Sequence, residues 1–223
     1  MYTIPTGLLL DFGSVITYSL FEKHRETEAS LGLAPGSLTW LGPLDPESDE
    51  LWRAMQRDEI SERDYWAARA RQLGAACGEP GWDMLALLKR LRHTEPDAAV
   101  RPQMLSLVRQ VASHGIRVGI LSNELELFYG EQFLKRLAIM SEISLVIDGS
   151  HSKILKPRPE AYAAAVAAMD LPASSLLFVD DQLRNIVGAH QFGLQTQLFD
   201  LRDPAGACRA VLTRLGLAPI TSC

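Results

Sequence analysis

Cysteine is scarce: Cys77, Cys208 and Cys223 are far apart, and no Cys-x-x-Cys pair occurs in 223 residues. That pattern disfavours a zinc site and a disulfide framework, and the reducing cytoplasm is the expected setting. Long apolar runs are also missing. No stretch approaches the roughly 18 consecutive apolar residues that span a bilayer, and no basic start leads into an apolar leader. Neither membrane insertion nor processing is expected. Dense runs of lysine or arginine are absent, and a net charge of -5 with pI near 5.6 removes the general reason to expect nucleic acid or an anionic membrane surface as partner. Lys89-Arg90 and Lys135-Arg136 read as solvated helix faces. There is no internal repeat or low-complexity tract, and the stretch AYAAAVAAM at 161–169 is alanine-rich helix.

What is present is an ordinary globular composition, 47% hydrophobic and 22% charged. Four short apolar runs, Gly7 to Asp11, Arg117 to Ser122, Ile143 to Asp148 and Leu176 to Asp180, alternate with helical patterns, and Gln195 to Phe199 makes a fifth. Consecutive apolar positions suit strands buried on both faces, and alternation with helices implies right-handed crossovers in a parallel sheet. The fold class is α/β, a Rossmann-like core in three α/β/α layers.

More than 100 residues separate the first two runs, far beyond one crossover helix. The interval reads helical: Leu20 to Leu31, Ser48 to Arg57, Ser61 to Leu73, and Trp82 to Arg92. Ser61 with Asp64 approximates a capping box, and Gly74 reads as the stop signal of that helix. Turn-rich breaks, the last at Glu95-Pro96, separate the pieces. A helical cap domain is therefore placed at 18–96, inserted into a core domain of 1–17 and 97–223. Trp40, Trp52, Tyr65 and Trp66 read as its packing residues. Helix Arg101 to Ser113, with Gly115 as its stop, rejoins the core.

Chemistry gathers where the runs end. Asp11 closes the first, Ser122 and Asn123 the second, and Asp180 and Asp181 the fourth; in an open parallel sheet such ends share one crevice. Lys156 can join them from the loop before a helix. Each residue alone has an ordinary explanation as a turn, cap or surface residue; their joint placement gives them weight. Three close carboxylates repel, and one lysine cannot balance them. A divalent cation can, and oxygen ligands favour Mg²⁺. His24, His93, His114, His151 and His190 show no paired ligand spacing, and His190 is expected to pack near the core. Tyr18, His24 and Arg57 could face substrate, but no pattern selects them as site residues.

The ordered segments LLLDFGSV, GILSN, LKPRPEAY and FVDDQLRNIVGAHQFG resemble the four motifs of the haloacid dehalogenase-like hydrolases, with a helical cap of the family's first type. The cap segment QRDEISERDYWAA is similar to the subgroup of sugar-phosphate phosphatases and the N-terminal domain of soluble epoxide hydrolase. The resemblance implies a Mg²⁺-dependent phosphatase for a small phosphorylated substrate, acting as monomer or homodimer. It implies Asp11 as the nucleophile that forms an aspartyl-phosphate, Ser122 and Lys156 in catalysis, and Phe12, Gly13, Ser122, Asn123 and Lys156 around the phosphate. Asp11, Asp180, Asp181 and the Gly13 carbonyl would hold the metal. Lys156 is expected to act electrostatically in a solvent-accessible crevice, so that its loss impairs catalysis more than folding.

Gly13 departs from the pattern, since phosphatases of the family that this chain resembles usually carry there a second Asp that protonates the leaving group, although glycine also occurs there in some members similar to this one, including sugar-phosphate phosphatases. Glycine is expected to allow a tight turn around metal and phosphate. Two other readings stay open: a 2-haloacid dehalogenase, which would need no Mg²⁺ and normally has an aromatic residue in place of Gly13, and a weakened relative that binds a phosphorylated ligand or protein. Without the acid, esters with good leaving groups are expected to react fastest, unless another group supplies the proton.

Overall fold

Leu8, Leu9 and Leu10 have no solvent exposure at all, a state that consecutive apolar residues reach in a strand only when both sheet faces are covered. A computed structural model describes residues 3–91 and 96–218 of the chain; Arg92, His93, Glu95 and Cys223 lie outside the described residues. Its sheet contains β1 (Gly7–Leu10), β2 (Arg117–Ser122), β3 (Leu145–Asp148), β4 (Leu176–Asp180) and β5 (Gln195–Leu198). All pairings are parallel, in the order β3-β2-β1-β4-β5. Leu10 is in register with Ile120 on one side and Val179 on the other, so β4 runs one residue and β2 two residues beyond the end of β1 at the same sheet edge. The chain steps outward from β1 to β2 and β3, then returns to β4 across β1, which creates a switch point at the carboxyl ends of β1 and β4.

The expectation of strands buried on both faces holds for β1, β2 and β4 but not for β3 and β5, which are only partly covered. Both are rim strands, and Val146 and Leu198 on them stay exposed.

Two compact units emerge, Met1–Tyr18 with Pro96–Cys223, and Ser19–Glu95. Where the chain leaves the first unit and returns to it, Thr17 bridges Val100 in antiparallel fashion, and the Tyr18 N–H donates to the Ala99 carbonyl at 2.9 Å.

The second unit carries α1 (His24–Ser30), α2 (Glu50–Gln56), α3 (Glu62–Ala76) and α4 (Met84–Leu91). Helix α1 begins later than the expected Leu20, after a turn in which Ser19 and Glu22 exchange capping-box bonds: the Glu22 carboxylate accepts from the Ser19 N–H and hydroxyl at 2.9 and 2.6 Å, and the Glu22 N–H donates to the Ser19 hydroxyl at 3.3 Å. Ser61 and Asp64 form the reciprocal capping box on α3. Phe21, Trp40, Trp52, Met55, Tyr65, Leu73 and Trp82 make the core, with Trp66 packed against it. Inside it, Asp49 accepts from the Trp52 N–H at 2.8 Å and the Tyr65 hydroxyl at 2.9 Å, and pairs with Arg69.

Gly74 is not the stop of α3: the helix continues to Ala76, and Gly78, with φ of 74°, takes the left-handed position after it. A Cβ on Gly74 would lie 2.6 Å from the Glu79 carbonyl oxygen and 2.7 Å from Trp82 Cγ. Close packing of the following segment, rather than termination, requires glycine there.

The core unit adds α5 (Pro102–Ser113), α6 (Leu125–Tyr129), α7 (Glu131–Leu134), α8 (Gly149–Ser152), α9 (Pro159–Met169), α10 (Leu183–Phe192) and α11 (Pro204–Arg214). Tyr162, Ala165 and Met169 of α9 and Ala189 of α10 pack on Leu9, Leu121, Leu176 and Phe178. Helices α5 and α11 pack on each other, with Cys208 Sγ 3.5 Å from Met104 Sδ. The result is the three-layer α/β/α arrangement. His190 is exposed on α10 rather than packed inward. Among the described residues no helix is long and apolar enough to cross a membrane.

The Gly74→Ala variant separates packing from helix propensity. Propensity alone favours alanine by about 1 kcal/mol, whereas overpacking typically costs about 1–3 kcal/mol. Urea unfolding is expected to show net destabilisation; a higher midpoint than the parent would remove the packing explanation.

Candidate active site

Lys156 is buried, and its ammonium donates to Asp11 Oδ1 and to Asp180 Oδ2, both at 2.7 Å. Asp11 follows β1 directly, and its N–H extends the sheet ladder to the Val179 carbonyl at 2.9 Å. Asp180 ends β4 and has no exposure. Asp181, next along, brings a third carboxylate: one oxygen from each of Asp11, Asp180 and Asp181 lies within 4.8 Å of the others. Burial acts to lower the Lys156 pKa, but Asp11 and Asp180 outweigh it and hold the group above the usual lysine range. It stays charged at any working pH. Its near-complete burial corrects the expectation of a solvent-accessible lysine, since both of its partners sit at the covered ends of central strands.

Asn123 reaches the same lysine from behind. Its Oδ1 accepts from the Lys156 N–H at 2.7 Å and its Nδ2 donates to the Lys156 carbonyl at 3.3 Å. The side chain expected near phosphate is thus engaged in holding the Lys156 main chain. Ser122 ends β2 on the same edge, in register with Asp148.

The turn after Asp11 differs from expectation. The Phe12 side chain is fully buried, edge-on to Tyr129 at 4.9 Å between ring centroids, so only its main chain is available to a ligand. Gly13 has φ -65° and ψ 136°, a conformation open to any residue; the left-handed position belongs to Ser14, with φ of 66°. Glycine is therefore not needed for the turn, and what it provides is space. Arg101, buried at the start of α5, clasps the Ser14 carbonyl through Nε at 3.1 Å and a terminal nitrogen at 2.8 Å. Its guanidinium lies 4.9 Å from the Tyr18 ring centroid and 5.6 Å from that of Phe199.

Three positioning residues escaped the sequence reading. Besides Arg101, Asn185 donates to both Asp180 oxygens at 3.1 Å. Asp148 at the end of β3 accepts from the N–H groups of Leu125 and Glu126, each at 2.9 Å, and so fixes the start of α6. Asn185 had a weak signal, five positions after Asp180 in the same motif, and Asp148 closes the third apolar run as Asp11, Ser122 and Asp180 close theirs; Arg101 had none.

A family model described as haloacid dehalogenase-like hydrolase matches residues 6–193, and the chain belongs to that family of hydrolases. It is 28% identical over 152 residues to the sesquiterpene phosphatase astK of Aspergillus oryzae, covering 66% of this chain and 71% of that one. To the N-acetylmuramic acid 6-phosphate phosphatase of Pseudomonas putida it is 27% identical over 135 residues, covering 58% and 60%. Among solved structures, the L-2-haloacid dehalogenase RSc1362 superposes with a TM-score of 0.63 at 22% identity, covering 89% of this chain and 87% of that one, a likeness of fold.

Removing the ammonium strands two buried carboxylates, so Lys156→Met is expected to cost about 3–5 kcal/mol without added metal. A lysine whose pKa is raised on folding contributes fully below its unfolded value of about 10.4. The stability difference between parent and variant should therefore be flat from about pH 7 to 9 in denaturant titrations. A loss below 1 kcal/mol, or one that fades across this range, would contradict the pairing.

Proposed function

We propose that the chain is a Mg²⁺-dependent phosphomonoesterase for a small phosphorylated metabolite, with Asp11 as nucleophile. The observation that carries this reading is the Lys156 ammonium held between Asp11 and Asp180, with Asp181 beside them. The phosphatases among its relatives support it.

The donor set fits the cation. Three oxygen donors converge, and one lysine against three carboxylates leaves an excess of negative charge that a hard divalent ion offsets. Asp11, Asp180 and Asp181 would hold it, with the Gly13 carbonyl as a further ligand. When bound it supplies charge that attracts the phosphate and neutralises its oxygens during transfer.

The chain's own groups account for the rest. An Asp11 oxygen attacks phosphorus, forming an aspartyl-phosphate as the ester oxygen departs. Lys156 faces the nucleophile with fixed positive charge, and Asn123 fixes Lys156. The Ser122 hydroxyl and the N–H groups of the turn after Asp11 donate to phosphoryl oxygens. Water then attacks phosphorus and the Asp11 carboxylate is released. The helical unit is the cap domain of this reading, at 18–96.

Carbon–halogen hydrolysis could start from the same nucleophile, but the likeness to a dehalogenase is one of fold, and the Asp180-Asp181 pair favours phosphate chemistry. A panel of phosphate monoesters and 2-halo acids, each with Mg²⁺ or a chelator, separates the two. Mg²⁺-dependent phosphate release is expected from the parent and none from Asp11→Asn. Halide release that survives the chelator would overturn the phosphatase reading.

A further inference from the structure

We propose that Tyr129 is the proton donor and acceptor of the reaction, with the Thr17 hydroxyl as its hydrogen-bond partner. The proposal rests on the phosphomonoesterase reading, which gives Asp11 a basic leaving group to expel.

The space beside Gly13 is where the geometry converges. Gly13 and Ser14 are only half-buried while Asp11 and Phe12 are covered, so the nucleophile loop opens to solvent at this point. A Cβ on Gly13 would lie 3.9 Å from the Tyr129 hydroxyl. The Gly13 backbone would accept any residue, so glycine here leaves the approach to that hydroxyl clear. The Tyr129 hydroxyl also lies 3.1 Å from Thr17 Oγ1, and Thr17 is buried.

Tyr129 is held in place from several sides. Its ring meets Phe12 edge-on at 4.9 Å and stacks on Phe133 at 5.5 Å, and Asp148 anchors the first turn of α6, the helix that Tyr129 ends. A hydroxyl both donates and accepts. The Thr17 hydroxyl also lies 3.5 Å from the Phe12 carbonyl, a longer contact; turned to the phenol oxygen at 3.1 Å it donates there while the phenol proton is given to the leaving oxygen, and the same donation stabilises the phenolate once that proton has gone.

In the first step the Asp11 oxygen–phosphorus bond forms and the phosphorus–ester oxygen bond breaks. The departing alcohol oxygen keeps the bond's electron pair and takes the Tyr129 proton. In the second step water attacks phosphorus, the Asp11–phosphorus electrons return to the carboxylate, and the phenolate takes the water proton. Inorganic phosphate leaves, and Tyr129 and Asp11 regain their starting states. Phenols, with an ordinary pKa of about 10, are protonated at neutral pH and so available to protonate an alkoxide.

The test is a series of phosphate monoesters graded from aryl to alkyl leaving groups, measured for the parent, Tyr129→Phe, and Tyr129→Phe combined with Gly13→Asp. Phenylalanine keeps the ring packing and removes only the hydroxyl. The parent is expected to show a shallow dependence on leaving-group basicity. Tyr129→Phe should lose about 10²- to 10⁴-fold on alkyl esters while aryl esters with the least basic leaving groups keep nearly their full rate. Gly13→Asp should restore alkyl turnover, because its carboxyl enters the open space where the phenol acted. Equal loss along the whole series, or no loss, overturns the proton assignment and leaves the phosphatase reading standing. Absence of phosphate release from every ester by the parent overturns both.

Discussion

The Lys156 ammonium is shared by two carboxylates that arrive from opposite parts of the chain, Asp11 at residue separation 145 and Asp180 at 24. Without it the switch point of the sheet would hold like charges in a region nearly closed to water, where their repulsion is poorly screened. Asn123 grips the lysine's main chain and Asn185 grips Asp180, so the ends of β2 and β4, the segment before α9 and the start of α10 are all referred to one charge. Buried ion pairs are weak evidence for stability. Here the pairing fixes where the Asp11 carboxylate points.

The loop on the other side of Asp11 is under a different constraint. Ser14 sits in the left-handed region, a conformation that costs a non-glycine residue about 1–3 kcal/mol and persists only when its surroundings dictate it. Arg101 does so by holding the Ser14 carbonyl from within the core, its guanidinium next to two aromatic rings. Asp11 thus lies between a fixed cation on one side and a clamped turn on the other.

Much of this was legible in the sequence, because apolar runs that stop on Asp11, Ser122 and Asp180 mark strand ends without any alignment. The haloacid dehalogenase-like resemblance rested on those same segments. What could not be read depends on distance. Arg101 meets Ser14 across 87 positions, and no local spacing encodes that. Gly74 looked like a helix stop because glycine usually marks an end; its requirement came from Trp82, which folds back on it. Gly13 was read as a conformational device, yet its dihedrals are ordinary, and the left-handed residue is its neighbour. Rim strands β3 and β5 have strand-like sequences, and their partial exposure follows only from the strand order.

The tie between residues 17–18 and 99–100 has an evolutionary consequence. An excursion that starts and finishes at paired main-chain groups can change length with little penalty, since each doubling of a flexible loop costs only about 0.6 kcal/mol of closure entropy. Recombination at that point could exchange the whole insert without shifting the register of any strand. A lineage built on this junction can keep its sheet unit intact while the inserted unit diverges or is replaced.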